Sequence, residues 1–503
     1  MTKDEVSKEG ASRKNVSTGK RVMWGMGGAT DHIIIYGTVS LVSVIYVNGL
    51  HFSAAMVGLA VALPRIFDAI SDPIIGHLSD NTRSRWGRRR PWMLAGLIVS
   101  AILTMTIWHP PAAAGPNGDE WIWSIFIYLS VMISLLYAVG YTMFNVPHIA
   151  MGYEMTTDYD ERTHLFKWRQ LIYSGAGLLT PWLLTLCMWV EGDKAQALKG
   201  SEGVLIVSAG VAVLLVLSGL PSVLFCKEGT AVHTPKEEKV RFLDAIKFTL
   251  HNKPFWLIVV SNFIAKFCMA VTGIFFMYIF LYHIIKGDQK VGSAYMAIFF
   301  NSINISCFLA MPLIAKLSDY LGKKRCLLTL LGMSTVAYLS LWFTFTDADG
   351  AFLTTTLPFL GEISMQWPCL ITGVLIGIFT NTMPMINNSM LADVCDLDEL
   401  HSGHRREAFF SAVFSTADKL ALGVAMGLQG FLLVASGFDS KLDIQDPATI
   451  KFWILALVIS QPAGFLIAMT AIWFYPLTKK RCAEIRDEID ARSSAPSDAE
   501  GAV

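Results

Sequence analysis

Residues 65–92 read RIFDAISDPIIGHLSDNTRSRWGRRRPW, an apolar segment with two acids that runs into a loop with five arginines. The apolar part belongs to a segment long enough to cross a bilayer, so Asp68 and Asp72 are predicted to lie inside a membrane-spanning helix. A carboxylate at the centre of such a helix costs roughly 2.5 to 3.5 kcal/mol, so a pair of them needs a function. Their i, i+4 spacing places both on one helical face, where they can share a small cation or a proton. The pattern favours an ion-coupled membrane transporter.

The composition extends this interpretation to the whole chain. Over 503 residues, 53% are hydrophobic and 16% are charged, with a mean hydropathy of +0.48, which is typical of an all-α protein that crosses the membrane many times. Hydropathy predicts twelve spans, at residues 28–50, 53–79, 92–110, 121–151, 166–190, 203–226, 254–285, 292–315, 325–346, 366–392, 407–436 and 451–476.

The distribution of positive charge predicts the orientation. The five-arginine loop, residues 227–253, residues 316–325 and both termini are rich in Lys and Arg, whereas residues 111–120 and 347–365 contain none. By the positive-inside rule both termini are cytoplasmic, and the expected location is a plasma membrane, the inner membrane of a bacterium. The first 21 residues have no apolar core, so no cleavable signal peptide is expected. The eight cysteines are scattered singly and show no metal-binding spacing.

A central polar stretch divides the predicted helices into two sets of six. The expected organisation is a cytoplasmic tail (1–21), a first six-helix bundle (22–226), a central cytoplasmic loop (227–253), a second six-helix bundle (254–476) and a cytoplasmic tail (477–503). Internal similarity supports two pseudo-symmetric halves, since GHLSDNTRSRWGRRRP resembles AKLSDYLGKKRC, and Asp80 and Asp319 are 239 residues apart. The same offset relates Glu154 to Asp393. Duplicated halves are expected of a transporter whose solute binds between two bundles near the membrane midplane.

Five motifs carry a resemblance to a known family: the segment 65–92, YTMFNVP, DERTHLFKWRQ, NKPFW and MLADVCDLDELHSGHRREAFFSAVFSTADK. Together they resemble the glycoside-pentoside-hexuronide:cation symporters of the major facilitator superfamily, which include the melibiose permease. The resemblance implies the major facilitator fold and cation-coupled import of a sugar, a glycoside or an acidic sugar derivative by alternating access. The animal lysolipid carriers are distantly similar, so a lysolipid or amphiphile carrier is an alternative, as is a sensor of the same fold that transports nothing.

The resemblance also implies a cation site. Asp68, Asp72, Ser71 and Thr142 match the family's cation ligands, and all four supply oxygen donors. The melibiose-type pattern has an additional Asp three residues after this Thr, where the present chain has Asn145. The lost charge leaves Na⁺ and H⁺ both open as the coupling ion. A competing hypothesis is a structural ion pair between Asp68 and Arg65, which lies three residues earlier on the same face.

Other residues are predicted to contact the solute. The resemblance assigns Asp31 as an acceptor of sugar hydroxyls, Arg169 as a bundle-facing Arg and Lys419 as an intramembrane Lys, while Ile149 and Pro384 replace the family's galactoside-type Trp residues. From the residues alone the further candidates are Tyr141 as an aromatic plate, Asn145, His148, Lys266 and Asn387. For Lys266, a solute contact, an ion pair between the bundles and a lipid-facing position are all considered. For His148, a cavity-lining role is weighed against a proton relay.

Three cations within predicted spans, Lys266, Arg169 and Lys419, further suggest an anionic solute, although Asp31 and the two helix acids could neutralise them. Asp80, Arg83, Arg88 and Asp319, in the two matching loops, are predicted to gate the transport cycle. No phosphate-cradling or metalloprotease motif is found, so the chain is not expected to be an enzyme or to hold a cofactor or a metal other than a transported Na⁺. The expected partners are a small solute, a monovalent cation and the lipid bilayer, without nucleic acid, for a monomer.

Overall fold

A computed structural model describes residues 16–110, 119–156, 159–191, 202–226, 252–284, 289–345, 352–357, 361–402, 407–442 and 444–494. The first helices are α1 (Thr18–Gly25), α2 (Gly27–His32), α3 (Thr38–Ser43), α4 (Ala54–Asn81), α5 (Arg90–Thr106), α6 (Asp119–Leu135), α7 (Thr142–Glu154), α8 (Tyr159–Ala176), α9 (Leu183–Glu191) and α10 (Glu202–Phe225). Between them lie π-helical turns at Ile33–Gly37, Val44–Gly49 and Leu136–Tyr141, and a 3-10 turn at Thr180–Trp182.

The later helices are α11 (Lys253–Tyr278), α12 (Gln289–Leu321), α13 (Lys323–Thr344), α14 (Trp367–Phe379), α15 (Met383–Ser402), α16 (Glu407–Ala435), α17 (Pro447–Trp473) and α18 (Lys479–Ser494), with a π-helical turn at Ile279–Ile284. Two helix starts have clear local causes. Asn252 and Asp446 cap α11 and α17, since each side chain accepts a hydrogen bond from a first-turn backbone N–H. A proline in each first turn fixes φ without removing a needed donor.

Within the described residues, ten helical stretches are long and apolar enough to cross a membrane: Thr18–Gly49, Trp121–Glu154, His164–Val190, Gly203–Phe225, Lys253–Ile284, Lys290–Leu321, Lys323–Thr344, Trp367–His401, Val413–Ala435 and Pro447–Trp473. Two shorter apolar helices, Ala54–Arg65 and Arg90–Thr106, fall at the predicted second and third spans. The helix α4 itself continues to Asn81, and Arg65, Asp68 and Asp72 lie within it. The predicted all-α membrane fold is therefore confirmed.

The structure differs from the sequence prediction at the edges of the spans. The first helix begins at Thr18 rather than near residue 28, which hydropathy does not detect because its first turn is polar. The loop predicted at 347–365 contains an antiparallel hairpin of β1 (Phe352–Leu357) and β2 (Gly361–Gln366), with Phe352 opposite Gln366. The predicted tail after Pro476 contains the helix α18. Residues 227–251 of the central loop and the last residues of the C-terminal tail lie outside the described residues.

The chain divides into two compact units, one of residues 1–237, 430–435 and 439–443, the other of residues 238–429, 436–438 and 444–503. The domain boundaries given above stay a prediction. In the first unit α5 packs on α10 and α7, and α8 packs on α1 and α2. Only glycine fits at Gly96, because a Cβ there would lie 2.6 Å from the backbone nitrogen of Phe144 in α7. This close approach fixes α7, which begins at Thr142 directly after a π-helical turn.

The second unit is built around α17, which packs against α11 and α13, while α12 packs on α14. Its interior contains a cluster of aromatic side chains, among them Phe275, Phe280, Phe299 and Trp453, which are fully buried. α15 contacts α11 in the same unit. This packing holds the polar residues of α11 and α15 next to one another at span depth.

Candidate functional site

The first acid of α4 is compensated by a cation from its own helix. The Arg65 Nη1 lies 3.4 Å from the Asp68 Oδ2, and the Asp68 side chain is only 1% exposed. The Arg65 guanidinium also stacks over the Tyr137 ring, with its central carbon 4.6 Å from the ring centroid. The structure therefore contains the ion pair that the sequence analysis raised as the competing hypothesis for Asp68.

The second acid of α4 lies among hydroxyl groups. The Thr142 hydroxyl donates to the Asp72 Oδ1 at 3.1 Å, and the Ser71 hydroxyl lies 3.3 Å from the Thr142 hydroxyl. Of the four predicted cation ligands, the structure thus brings Asp72, Ser71 and Thr142 together and places Asp68 one turn away with Arg65. The π-helical turn before Thr142 aims this hydroxyl at α4, and such turns are frequent at functional sites.

A second ion pair of the first unit joins α2 to α8. The Arg169 Nη2 lies 2.5 Å from the Asp31 Oδ2, and the two side chains are 14% and 7% exposed. The Tyr141 hydroxyl also interacts with Asp31 and accepts a 2.9 Å hydrogen bond from the Asn145 amide. Four predicted solute contacts, Asp31, Arg169, Tyr141 and Asn145, therefore form one polar cluster.

His148 is placed differently from the expectation of a cavity-lining residue. Its side chain is fully buried, stacked between Trp24 at 4.8 Å and Phe144 at 5.3 Å. Its Nε2 lies 2.9 Å from the Trp24 carbonyl oxygen. These contacts give His148 a packing role in the interior of the first unit. Hydropathy and residue spacing in the sequence could not predict this position.

Lys266 of the second unit pairs with an acid that sequence reasoning missed. Its ammonium contacts the Asp418 carboxylate of α16, and the two side chains are 38% and 24% exposed. The Asn262 amide donates to the other oxygen of Asp418, and the Asn387 amide donates to the Asn262 carbonyl oxygen at 3.0 Å. Of the three alternatives considered for Lys266, the ion pair between the bundles does not match this contact, because Lys266 and Asp418 lie in the same unit. The available signal was an acid directly before Lys419 within a predicted span.

Lys419 itself is half-buried on α16. Lys419 directly follows Asp418 in the helix, so its side chain leaves the helix about 100° around the axis from that of Asp418 and lies on a different face. With Arg169 and Lys266 each paired to a carboxylate, two of the three cations cited for an anionic solute are neutralised within their units. The sequence argument for an anionic solute therefore loses most of its support.

The two matching loops form different ion-pair networks. In the first unit Arg89 lies 2.8 Å from Asp80 and 2.9 Å from Glu154, and Arg88 also contacts Glu154. In the second unit Lys323 lies 2.6 Å from Asp393, the residue at the internal offset from Glu154.

The remaining predicted gating residues take no part in these pairs. Arg83 is exposed and forms no ion pair with any described residue. The Asp319 side chain is also exposed, and its backbone carbonyl accepts a hydrogen bond from Lys479 of α18 at 2.6 Å. Arg89, which sequence reasoning left out of the gating set, is the residue that joins Asp80 to Glu154.

These features define a class of protein. A multi-pass helical membrane protein in which several intramembrane charges form pairs inside each unit, with acids and hydroxyls at span depth, has the construction of a secondary transporter. No group of three or more His, Cys, Asp or Glu that could hold a metal occurs among the residues that the structure describes.

Comparison with known proteins identifies the family. The family described as "MFS/sugar transport protein" matches residues 23–479, so the chain belongs to this family of the major facilitator superfamily, among the glycoside-pentoside-hexuronide:cation symporters. Two relatives are each 28% identical. An uncharacterized symporter of Synechocystis aligns over 87% of this chain and 90% of its own length, and the inner membrane symporter YicJ of Escherichia coli over 94% and 95%.

Solved structures show the same fold. A bacterial homolog of the human lysosomal transporter Spinster, in an inward-facing and unoccupied conformation, superposes with a TM-score of 0.61 at 15% identity. The match covers 94% of this chain and 99% of that one. The chain is therefore a multi-pass membrane transport protein of a sugar-symporter family.

Proposed function

We propose that this protein is a cation-coupled symporter that imports a neutral sugar or glycoside by alternating access. The single observation that carries the proposal is the meeting of Asp72 with the hydroxyls of Ser71 and Thr142 inside the span region of the first unit. A carboxylate next to linked hydroxyl groups supplies oxygen donors that suit a monovalent cation or a proton, and the ion pair with Arg65 compensates Asp68.

In this proposal the coupling ion binds at Asp72, with Ser71 and Thr142 as neutral ligands. Asp68, which is paired with Arg65, lies one helical turn away. The polar cluster of Asp31, Arg169, Tyr141 and Asn145 offers acceptors and donors for neighbouring sugar hydroxyls. A neutral solute fits this cluster because the Arg169 charge is already balanced by Asp31. The proposed location is a bacterial inner membrane with both termini cytoplasmic, which the arginine-rich loop supports.

Ion binding and solute transport are linked energetically. One cation that moves down a potential of 100 mV supplies about 2.3 kcal/mol. A neutral solute carried with one cation moves net charge, so uptake should respond to the membrane potential as well as to the ion gradient. An acidic solute carried with one cation would be electroneutral and would lose the dependence on potential.

The test is uptake of labelled sugars into proteoliposomes under an imposed Na⁺ gradient, an imposed H⁺ gradient or neither. We expect accumulation with one of the two gradients and its loss in Asp72→Asn, with sugar exchange retained. Asp487→Asn, an exposed acid of α18, is the matched control and should transport like the wild type.

Uphill uptake by Asp72→Asn at the wild-type level would refute the ion site. Transport of lysolipids but of no sugar would favour the amphiphile carrier, and solute binding without flux would favour the sensor.

A further inference from the structure

A network of polar side chains, whose exposure increases from one end to the other, connects three helices of the second unit. It runs from Asn387 on α15 through Asn262 on α11 to Asp418 on α16, and ends at Lys266, also on α11. The two amides are buried, at 6% and 4% exposed, whereas Asp418 and Lys266 are progressively more accessible. The network therefore has a buried end and an open end.

The open end lies at the middle of a span. Lys266 is the fourteenth of the 26 residues of α11, so its Cα is about 18 to 20 Å along the axis from either end of the helix, deep within the span. Partly exposed charged groups at this depth almost always face the bundle interior or a water-filled cavity. We therefore expect a water-soluble solute to reach the Lys266–Asp418 pair.

The buried end contains an unsatisfied acceptor. The Asn387 Oδ1 is buried and has no hydrogen-bond partner among the described residues. Buried amide oxygens are normally hydrogen-bonded to protein groups or to ordered water. The Asn387 Oδ1 therefore has room in its bonding capacity for a hydrogen bond from water or from a polar ligand.

The charges at the open end determine which solute fits. Asp418 accepts and Lys266 donates, so together they match two adjacent hydroxyl groups of a sugar while adding no net charge. A solute carboxylate at the same place would be attracted to Lys266 but repelled by Asp418.

We propose that Asp418 is a specificity-determining residue that makes the second unit select neutral polyhydroxy solutes against their carboxylate-bearing counterparts. It does so by neutralising Lys266, and Asn262 and Asn387 hold its carboxylate in place. The proposal rests on the proposed function, because it concerns the solute of the same transporter.

The test uses pairs of probes that differ only at one group: methyl β-D-glucoside against methyl β-D-glucuronide, and methyl β-D-galactoside against methyl β-D-galacturonide. Their affinities for the purified full-length protein are measured by competition. Asp418→Asn leaves Lys266 uncompensated, so we expect the preference to shift toward the uronide by roughly tenfold or more. Lys266→Met leaves Asp418 uncompensated, so the preference should shift further toward the neutral sugar.

Combining Asp418→Asn with Lys266→Met should restore a preference near that of the wild type, since the site is again without net charge. The opposite directions of the two single variants keep the test decisive if one of them folds poorly. Equal changes for both members of a probe pair, or no change, would give the ion pair a purely structural role and overturn this inference while leaving the proposed function intact. Wild-type protein that binds none of the four sugars would instead overturn the proposed function, and this inference with it.

Discussion

The first unit buries the ion pair that joins its helices α2 and α8, whereas the second unit leaves the pair between α11 and α16 partly open. Arg169 and Asp31 are 14% and 7% exposed, compared with 38% and 24% for Lys266 and Asp418. A buried pair depends on each partner for compensation, because a lone charge left there is costly. A partly exposed pair is screened by water and can exchange partners with a solute. The comparison indicates that the first pair contributes to the stability of its unit as well as to the polar cluster proposed for the solute, and that the second pair is more adaptable.

The largest expected effect is at the buried pair. Arg169→Met should lower the free energy of unfolding by about 3 to 5 kcal/mol, since it leaves the Asp31 carboxylate uncompensated in the interior. Adding Asp31→Asn to that variant should recover much of the loss. Denaturant unfolding in detergent measures both, and a loss below about 1 kcal/mol for Arg169→Met would contradict the distinction between the units.

An intermediate effect is expected at the two matching loops. Glu154 holds both Arg88 and Arg89, whereas its counterpart Asp393 pairs with Lys323. Glu154→Gln should therefore cost about 1.5 to 3 kcal/mol and more than Asp393→Asn, because it weakens two charge-assisted contacts. The same unfolding assay compares the two, with Asp487→Asn as the control. A larger loss of stability for Asp393→Asn than for Glu154→Gln would contradict the view that Glu154 forms the stronger of the two loop networks.

The smallest effect on stability is expected at the open pair. Lys266→Met should change the free energy of unfolding by about 1 kcal/mol or less, because water and Asn262 still solvate the Asp418 carboxylate. Its effect should fall instead on the choice between neutral and acidic sugars. A cost as large as that of Arg169→Met would place Lys266 in the ordered interior and remove the contrast between the units.

Much of the fold was predictable from the sequence. The spans, the internal offset that relates Glu154 to Asp393 and the family all follow from local patterns, and the residues for the ion site came from motifs. The prediction was less successful at individual side chains. His148 looked like a polar residue of a cavity but is packed between aromatic rings, and Asp418 was overlooked beside Lys419.

The sequence by itself determined that the chain crosses the membrane with apolar helices. The free energy of transferring apolar side chains into the bilayer adds up over about 20 consecutive residues, so it can be calculated without knowledge of distant contacts. It also determined which charged residues lie at span depth. Only the tertiary structure decided how those charges are compensated. Asp31 and Arg169 are 138 residues apart, and Lys266 and Asp418 are 152 apart, so the packing of separate helices selects each partner. Since the cost of a charge in the membrane depends on the partner it meets, packing also determines which charged groups stabilise the fold and which remain accessible to an ion or a sugar.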